Sequence, residues 1–449
     1  MVNMNFKGDV KMQNDTNSAA FERTPRFRAL LPFGIFVVFY AGLSILANDF
    51  YKISMPIAFL VASVVGLMMD HKRPLQQKVE IYARGMGETN IMIMCLIFIL
   101  AGSFAAVAKG MGAVDSAVLI ARSLIPARLL LTGIFLVSCF ISLAIGTSCG
   151  TIAALTPIAA GLIGPMKIDP ALMVGAVVGG AMFGDNMSMI SDTTIAATRT
   201  QQVAMRDKFI MNFRMILPAA LVCIVIYLLC GTAGTDLPLK AVSWKDLLNV
   251  APYLLILIAA LCGMNVMALL FFGTMLAAVL GCVSGILTMW TALDIAGKGA
   301  LGMSETLVVA ILAGGLLSIV RHNGGIRFLM NAIEAKISGR RGCELGVCLL
   351  TAGVNLFTAN NTVAIVITGP IAKDFAHKYG CDPRRIASIL DTSSCVVQGL
   401  IPYGAQILIA LGIAKTAGVQ LSSFGLIGSL YYPLLLGVAL LVSILRPQK

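Results

Sequence analysis

Ten runs of apolar residues, each near the ~20 that cross the hydrocarbon core of a bilayer as a helix, take up most of this chain. They fall at 30–47, 53–69, 89–108, 171–197, 213–231, 248–262, 265–286, 303–320, 385–411 and 424–445, two of them somewhat short. In a bilayer core every backbone N–H and C=O must be satisfied within the protein, which restricts spanning segments to helices or a closed barrel. Runs of this length specify helices. With 58% hydrophobic and only 12% charged residues over 449 positions, a water-soluble surface cannot be assembled, since soluble proteins carry roughly twice that share of charge. The fold class expected is an all-α polytopic membrane protein. The run from Leu30 to Ala47 follows a polar segment, 1–29, and no small-residue cleavage site follows it, so it reads as a retained span and not a signal peptide.

Two further apolar stretches, 129–163 and 342–376, are interrupted at their midpoints by GTSCGT (146–151) and TANNT (358–362). This pattern suits re-entrant hairpins that enter the membrane and return to the same side. The bases test the topology. With a cytoplasmic N-terminus, the clusters at 7–28, 72–84, 199–214, 321–341, 373–385 and 446–449 lie inside and hold 24 Lys and Arg, against 9 outside. That asymmetry obeys the positive-inside rule and places both termini in the cytoplasm of a multi-pass protein of the cytoplasmic (inner) membrane. The net charge of +12 therefore records topology, and nucleic acid is excluded as a partner. The eleven cysteines contain no CxxC pair and lie mostly in apolar stretches, which implies packing residues and neither disulfides nor a metal cluster.

The hairpins sit in matching contexts, and an offset of 213 aligns the two halves without gaps from Val107 to Thr194. Pro157-Ile158-Ala159 falls on Pro370-Ile371-Ala372, Asp169-Pro170 on Asp382-Pro383, and Gly184-Asp185-Asn186 on Val397-Gln398-Gly399. Each half then holds five spans and one hairpin, and an odd span number inverts the second half relative to the first. The expected organisation is a cytoplasmic tail (1–29), a first inverted repeat (30–231) with a broken helix at 171–197, an extracytoplasmic linker (232–247), and a second repeat (248–445) with a broken helix at 385–411. Inverted repeats with broken helices at the midplane are the architecture of secondary transporters.

Of the 21 acids, 18 fall in the tail, in loops or near span ends, leaving Asp185, Asp192 and Asp391 inside. An intramembrane carboxylate costs roughly 2.5–3.5 kcal/mol on insertion scales and marks a functional site by default. Asp185 and Asp192 share the segment Gly184-Asp185-Asn186-Met187-Ser188-Met189-Ile190-Ser191-Asp192-Thr193-Thr194. A continuous helix would put both on one face; the glycines before them and the density of Asp, Asn, Ser and Thr favour an unwound middle. Either way, carboxylate, amide, hydroxyl and freed carbonyl oxygens collect as ligands for a hard cation. The hairpin tips supply Thr147, Ser148 and Thr151 from one half and Asn360, Asn361 and Thr362 from the other. Gln398, where the first half has Asp185, coordinates but does not titrate. Asp391, two turns after Arg384 and Arg385, fits a solvated cytoplasmic mouth as well as a site. His71, His322 and His377 fall at cytoplasmic ends as solvated residues.

The segments GTSCGT and GDNMSMISDTT resemble the paired signatures of the sodium/proton antiporter family of the NhaC type, within the ion-transporter superfamily, and the resemblance extends over nearly the whole chain after residue 30. It implies that Asp185, Asn186, Ser191, Asp192 and Thr193 line a cation site, with Thr147, Ser148 and Thr151 beside them. Asp185, Asn186 and Asp192 are then the Na+ ligands, and Ser188 completes the segment. Members often carry Pro where this chain has Met189, whereas Pro402 occupies the equivalent place in the second half. The expected function is secondary active Na+/H+ antiport by competition of both ions for intramembrane aspartates, with alternating access. The alternative is sodium-coupled transport or exchange of a small organic acid or amino acid. The expected partners are the lipid bilayer, a small cation and, on the alternative, a small organic solute; a homodimer is left open. No cofactor is expected beyond the transported Na+ and H+. An enzyme is not expected: Gly184-Asp185 is similar to the GxGD motif of intramembrane aspartyl proteases, but position 182 is Met and the chain has no Tyr-Asp dipeptide.

Overall fold

The computed structural model describes residues 25–446 apart from 48–53, 70–72, 125, 190, 232–241 and 263. The tail up to residue 24, His71 and most of the 232–247 linker lie outside the described residues. All regular structure among the described residues is helical. The first part of the chain forms α1 (Phe27–Tyr40), α2 (Met55–Met68), α3 (Leu75–Met86), α4 (Thr89–Gly110) and α5 (Ala113–Leu124). The first hairpin and broken helix are α6 (Ala127–Ile145), α7 (Ser148–Met166), α8 (Pro170–Met187) and α9 (Asp192–Gln201), followed by α10 (Met205–Cys230). Then come α11 (Trp244–Leu261), α12 (Val266–Val283), α13 (Met289–Gly302), α14 (Ser304–His322) and α15 (Gly325–Glu334). The second hairpin and broken helix are α16 (Gly339–Thr358), α17 (Asn361–Tyr379), α18 (Pro383–Leu400) and α19 (Ala405–Thr416), and α20 (Ser423–Gly428) and α21 (Tyr431–Leu445) end the chain.

Eight helices among the described residues are long and apolar enough to cross a membrane, and they include both arms of the first hairpin, α6 and α7. The runs at 30–47, 53–69 and 424–445 contribute the shorter apolar helices Phe27–Tyr40, Met55–Met68 and Tyr431–Leu445. At 1.5 Å per residue, the fourteen residues of α2 reach only about 21 Å along the axis, short of the ~30 Å core.

Helix boundaries fall in pairs at one offset along the chain. Ile145 and Thr358, Ser148 and Asn361, Met166 and Tyr379, Pro170 and Pro383, Met187 and Leu400, and Asp192 and Ala405 are all paired ends or starts at the same offset of 213. The local causes repeat too. Asp169 caps α8 by accepting from the Leu172 N–H, Asp382 caps α18 by accepting from the Arg384 N–H, and each is followed by a proline at the first helical position.

The chain divides into two compact units. In the unit made of residues up to Ile91 with Ile311–Ile337, Phe36 stacks on Phe59 with ring centroids 4.0 Å apart, joining α1 to α2. There α3 crosses α14 at Gly85 and Gly314: a Cβ on Gly85 would lie 2.6 Å from the Gly314 carbonyl oxygen. Small residues at such a crossing let backbones approach where lipid supplies no hydrophobic drive. The other unit, Met92–Ala310 with Ser338 onward, repeats this device where α4 meets α13, with Gly102 against Gly299.

Both hairpins and both broken helices belong to this second unit. In the first half, α6 lies against α8 so closely that a Cβ on Gly184 would fall 2.4 Å from the Leu143 nitrogen, and Ser142 Oγ donates to the Ala181 carbonyl at 2.6 Å. In the second half Asn355 Nδ2 donates to the Ser394 carbonyl at 2.8 Å, joining α16 to α18. Donor and acceptor each stand 213 residues after their counterparts, so the same helix-to-helix bond is made twice with different side chains.

Candidate cation site

The site starts from the break between α8 and α9. Ser188 and Ser191 are both extended, so the helix stops at Met187 and restarts at Asp192. The unwound form wins because serine and aspartate offer the backbone and each other hydrogen bonds that a continuous helix would forgo. The second break, at 401–404, contains Pro402, but the first forms at Met189 without a proline.

Asp185, one turn before the break, is 5% exposed. Its Oδ2 accepts from Ser148 Oγ at 2.7 Å and its Oδ1 from Ser191 Oγ at 2.6 Å, while the Ser191 and Thr193 hydroxyls lie 2.9 Å apart. Ser148 is the first residue of α7, so the first hairpin tip and the helix break converge on one carboxylate. The second half reaches the same point. Gln406 Nε2 donates to Ser148 Oγ at 3.0 Å, and Gln398 Nε2 donates to Gln406 Oε1 at 2.8 Å and to the Ala359 carbonyl at 3.1 Å. A line of side chains thus runs from the second hairpin tip to Asp185. No Lys, Arg or His among the described residues pairs with Asp185.

Asp391 is fully buried and forms an ion pair with Lys208, itself 1% exposed. Lys208 Nζ also donates to the Asn186 carbonyl at 2.9 Å and to Thr194 Oγ1 at 2.7 Å, so all three ammonium protons are placed. Asn212, one turn further along α10, donates from Nδ2 to Asn186 Oδ1 at 2.7 Å and to Asp391 Oδ2 at 3.3 Å, and accepts from Ser388 Oγ.

The structure thus gathers Ser148, Asp185, Asn186, Ser191, Thr193, Asp391 and Gln398 with Lys208, Asn212 and Gln406. It corrects the sequence reading at three points. Lys208, counted with the cytoplasmic cluster 199–214, is buried, because α10 directs it at Asp391. Asp391 is accordingly no solvated mouth residue. Asp192, in the first turn of α9, is exposed, whereas its neighbours Ser191 and Thr193 are buried beside Asp185. A third buried acid, Glu344 in α16, accepts from Arg385 Nε at 2.6 Å.

The remaining candidates do local work. Thr147 and Asn360 are the residues immediately before α7 and α17; Asn360 Oδ1 caps its helix by accepting from the Val363 N–H. Thr151 Oγ1 donates back to the Thr147 carbonyl at 3.1 Å, Ser188 is buried in the break, and Thr362 follows Asn361, whose Oδ1 accepts from the Thr362 N–H. Asn186 Nδ2, Asn361 Nδ2, Thr392 Oγ1 and Gln398 Oε1 are buried without hydrogen-bond partners. Gln406 was legible as the counterpart of Thr193 at the repeat offset; Lys208 and Asn212 carried only their one-turn spacing as a signal.

Buried polar side chains where two broken helices and two hairpins meet, inside a multi-pass helical membrane protein, define a secondary transporter. Residues 21–232 and 238–419 match the Na+/H+ antiporter family, and the chain belongs to that family. It is 26% identical over 356 residues to the Na(+)/H(+) antiporter NhaC of Bacillus subtilis, covering 71% of this chain and 77% of that protein. It is 24% identical over 364 residues to NhaC of Alkalihalophilus pseudofirmus, covering 73% and 77%. The malate-2H(+)/Na(+)-lactate antiporter of Bacillus subtilis is 20% identical over 421 residues, covering 86% and 88%. Among solved structures, the YdaH transporter of Alcanivorax borkumensis is similar at 17% identity and a TM-score of 0.36, covering 78% of this chain and 84% of that one.

Proposed function

We propose that the chain exchanges Na+ for H+ across the cytoplasmic membrane, with Asp185 as the carboxylate for which the two ions compete. The observation that carries this reading is the state of Asp185: buried, held by the hydroxyls of Ser148 and Ser191, and paired with no protein cation. A carboxylate so placed is neutralised by a proton or by a sodium ion, and one occupant excludes the other. The hydroxyls of Ser148, Ser191 and Thr193 and the Asn186 amide are oxygen ligands suited to a hard cation. Alternating access on this reading is the movement of the hairpins and broken helices past the rest of the protein, and the helix ends paired at an offset of 213 support it. Both termini are cytoplasmic on this reading, as the positive-inside count requires. Asp185→Asn in proteoliposomes is expected to abolish pH-driven 22Na+ flux while the protein remains folded; unchanged flux would sink the assignment.

A second reading keeps the site and changes the cargo to an organic acid or amino acid carried with sodium. It is favoured by the Nδ2 groups of Asn186 and Asn361, buried N–H donors of use to a carboxylate and of none to a cation, and by the malate and lactate named for one relative. Sodium-driven uptake of labelled dicarboxylates and hydroxy acids separates the two.

A further inference from the structure

We infer that Lys208 is a built-in counter-cation that sets the charge of the centre to one net negative, so that the site takes one monovalent cation and rejects divalent ones. The inference rests on the reading of Asp185 as the cation ligand. Among the described residues, the buried charges of this cluster are Asp185, Asp391 and Lys208, since Asp192 is exposed. Lys208 and Asp391 cancel, leaving one negative charge on Asp185 to be matched by cargo.

The ammonium is placed to act on the site and not only to hold helices together. It touches the carbonyl of Asn186, the residue directly after Asp185, at the point where α8 unwinds. Thr194 holds it from α9 and Asp391 from α18, and Asn212 donates to the same Asp391 oxygen. A Na+ ion on Asp185 makes the cluster neutral. A Ca2+ ion there would leave one uncancelled positive charge in a low-dielectric interior, with a buried ammonium one residue away. Lys208 is therefore a positioning and selectivity residue, touching the backbone of the site and not the cargo.

Removing either member of the pair must shift cation binding in opposite directions, which structural damage alone does not do. The test is equilibrium binding of NaCl and of CaCl2 to the purified full-length protein at alkaline pH, by calorimetry. Lys208→Met frees the Asp391 carboxylate: sodium binding is expected to tighten on the order of tenfold, and calcium, silent with the unaltered protein, to bind. Asp391→Asn leaves the ammonium unopposed, and sodium binding is expected to weaken on the order of tenfold. The double variant restores one negative charge, and with it sodium binding near that of the unaltered protein and exclusion of calcium. Shifts in the same direction for the two single variants, or no calcium binding to Lys208→Met, overturn the inference. Should Lys208→Met fail to fold, equal weakening in Asp391→Asn and the double variant overturns it, and recovery in the double variant supports it. Asp185→Asn measured alongside separates the two readings: sodium binding unaffected there defeats the Asp185 assignment itself.

Discussion

Ser148 Oγ donates to Asp185 Oδ2 at 2.7 Å, joining the tip of the first hairpin to the broken helix that carries the buried carboxylate. Ser148 also accepts from Gln406, so one hydroxyl ties both halves of the chain to the candidate site. Replacing it with alanine leaves a buried carboxylate oxygen and the Gln406 amide short of a partner. Losing a hydrogen bond of this kind costs about 1–3 kcal/mol. Ser148→Ala is expected to raise the half-saturating sodium concentration about tenfold, with the melting temperature little changed; 22Na+ flux against sodium concentration reads it.

The two hairpin tips differ at one backbone position. Ala359 has φ +47 where its counterpart, Gly146, has φ +76. The left-handed conformation costs a residue with a Cβ roughly 1–2 kcal/mol, and glycine recovers most of that after its own entropy loss. Ala359→Gly is expected to stabilise by about 1 kcal/mol and Gly146→Ala to destabilise by about as much, seen as opposite shifts of melting temperature in detergent.

Gly184 precedes Asp185 and lies against α6, where a Cβ would meet the Leu143 nitrogen at 2.4 Å and Ser142 Cβ at 2.4 Å. Backbone cannot yield as a flexible side chain would. Gly184→Ala is expected to cost about 1–3 kcal/mol through overpacking and to displace Asp185, lowering both stability and flux. Gly164, in α7, has nothing within 4 Å of an added Cβ, so Gly164→Ala is the control, expected to leave flux unchanged and to stabilise by about 0.5–1 kcal/mol.

Outside the spans, Asp246 at the start of α11 accepts from the Ser243 hydroxyl at 2.6 Å, from the Ser243 N–H at 2.9 Å and from Ser116 Oγ in α5 at 3.0 Å. The Ser243 hydroxyl first, then its N–H, hold this carboxyl below the ordinary carboxylate value. A lowered folded value means the stabilisation is present above the unfolded value, about 3.9, and is lost as pH falls through the folded one. Asp246→Asn is therefore expected to melt below the unaltered protein at neutral pH, with the gap closing under acid conditions. A gap constant with pH would contradict it.

Hydropathy, charge placement and the repeat were legible in the sequence because they are local or periodic. Apolar runs announce helices, Asp169-Pro170 and Asp382-Pro383 announce helix starts, and the offset of 213 survives in helix ends despite low identity. Asp185, its hydroxyl neighbours and Gln398 stood out for the same reason: polar groups are conspicuous inside apolar runs. The tertiary structure decided which of them meet. Lys208 read as one more cytoplasmic base because nothing near it in sequence pairs with it; its partner Asp391 belongs to the other half, and only packing of α10 against α18 brings the two into one buried ion pair. Asp192 read as the twin of Asp185, but a four-residue break in the helix, which spacing alone does not settle, leaves it exposed. Composition determined that few charges would be buried, since each is costly in lipid. Which of them meet is set by contacts between distant segments, as Lys208 and Asp391 show.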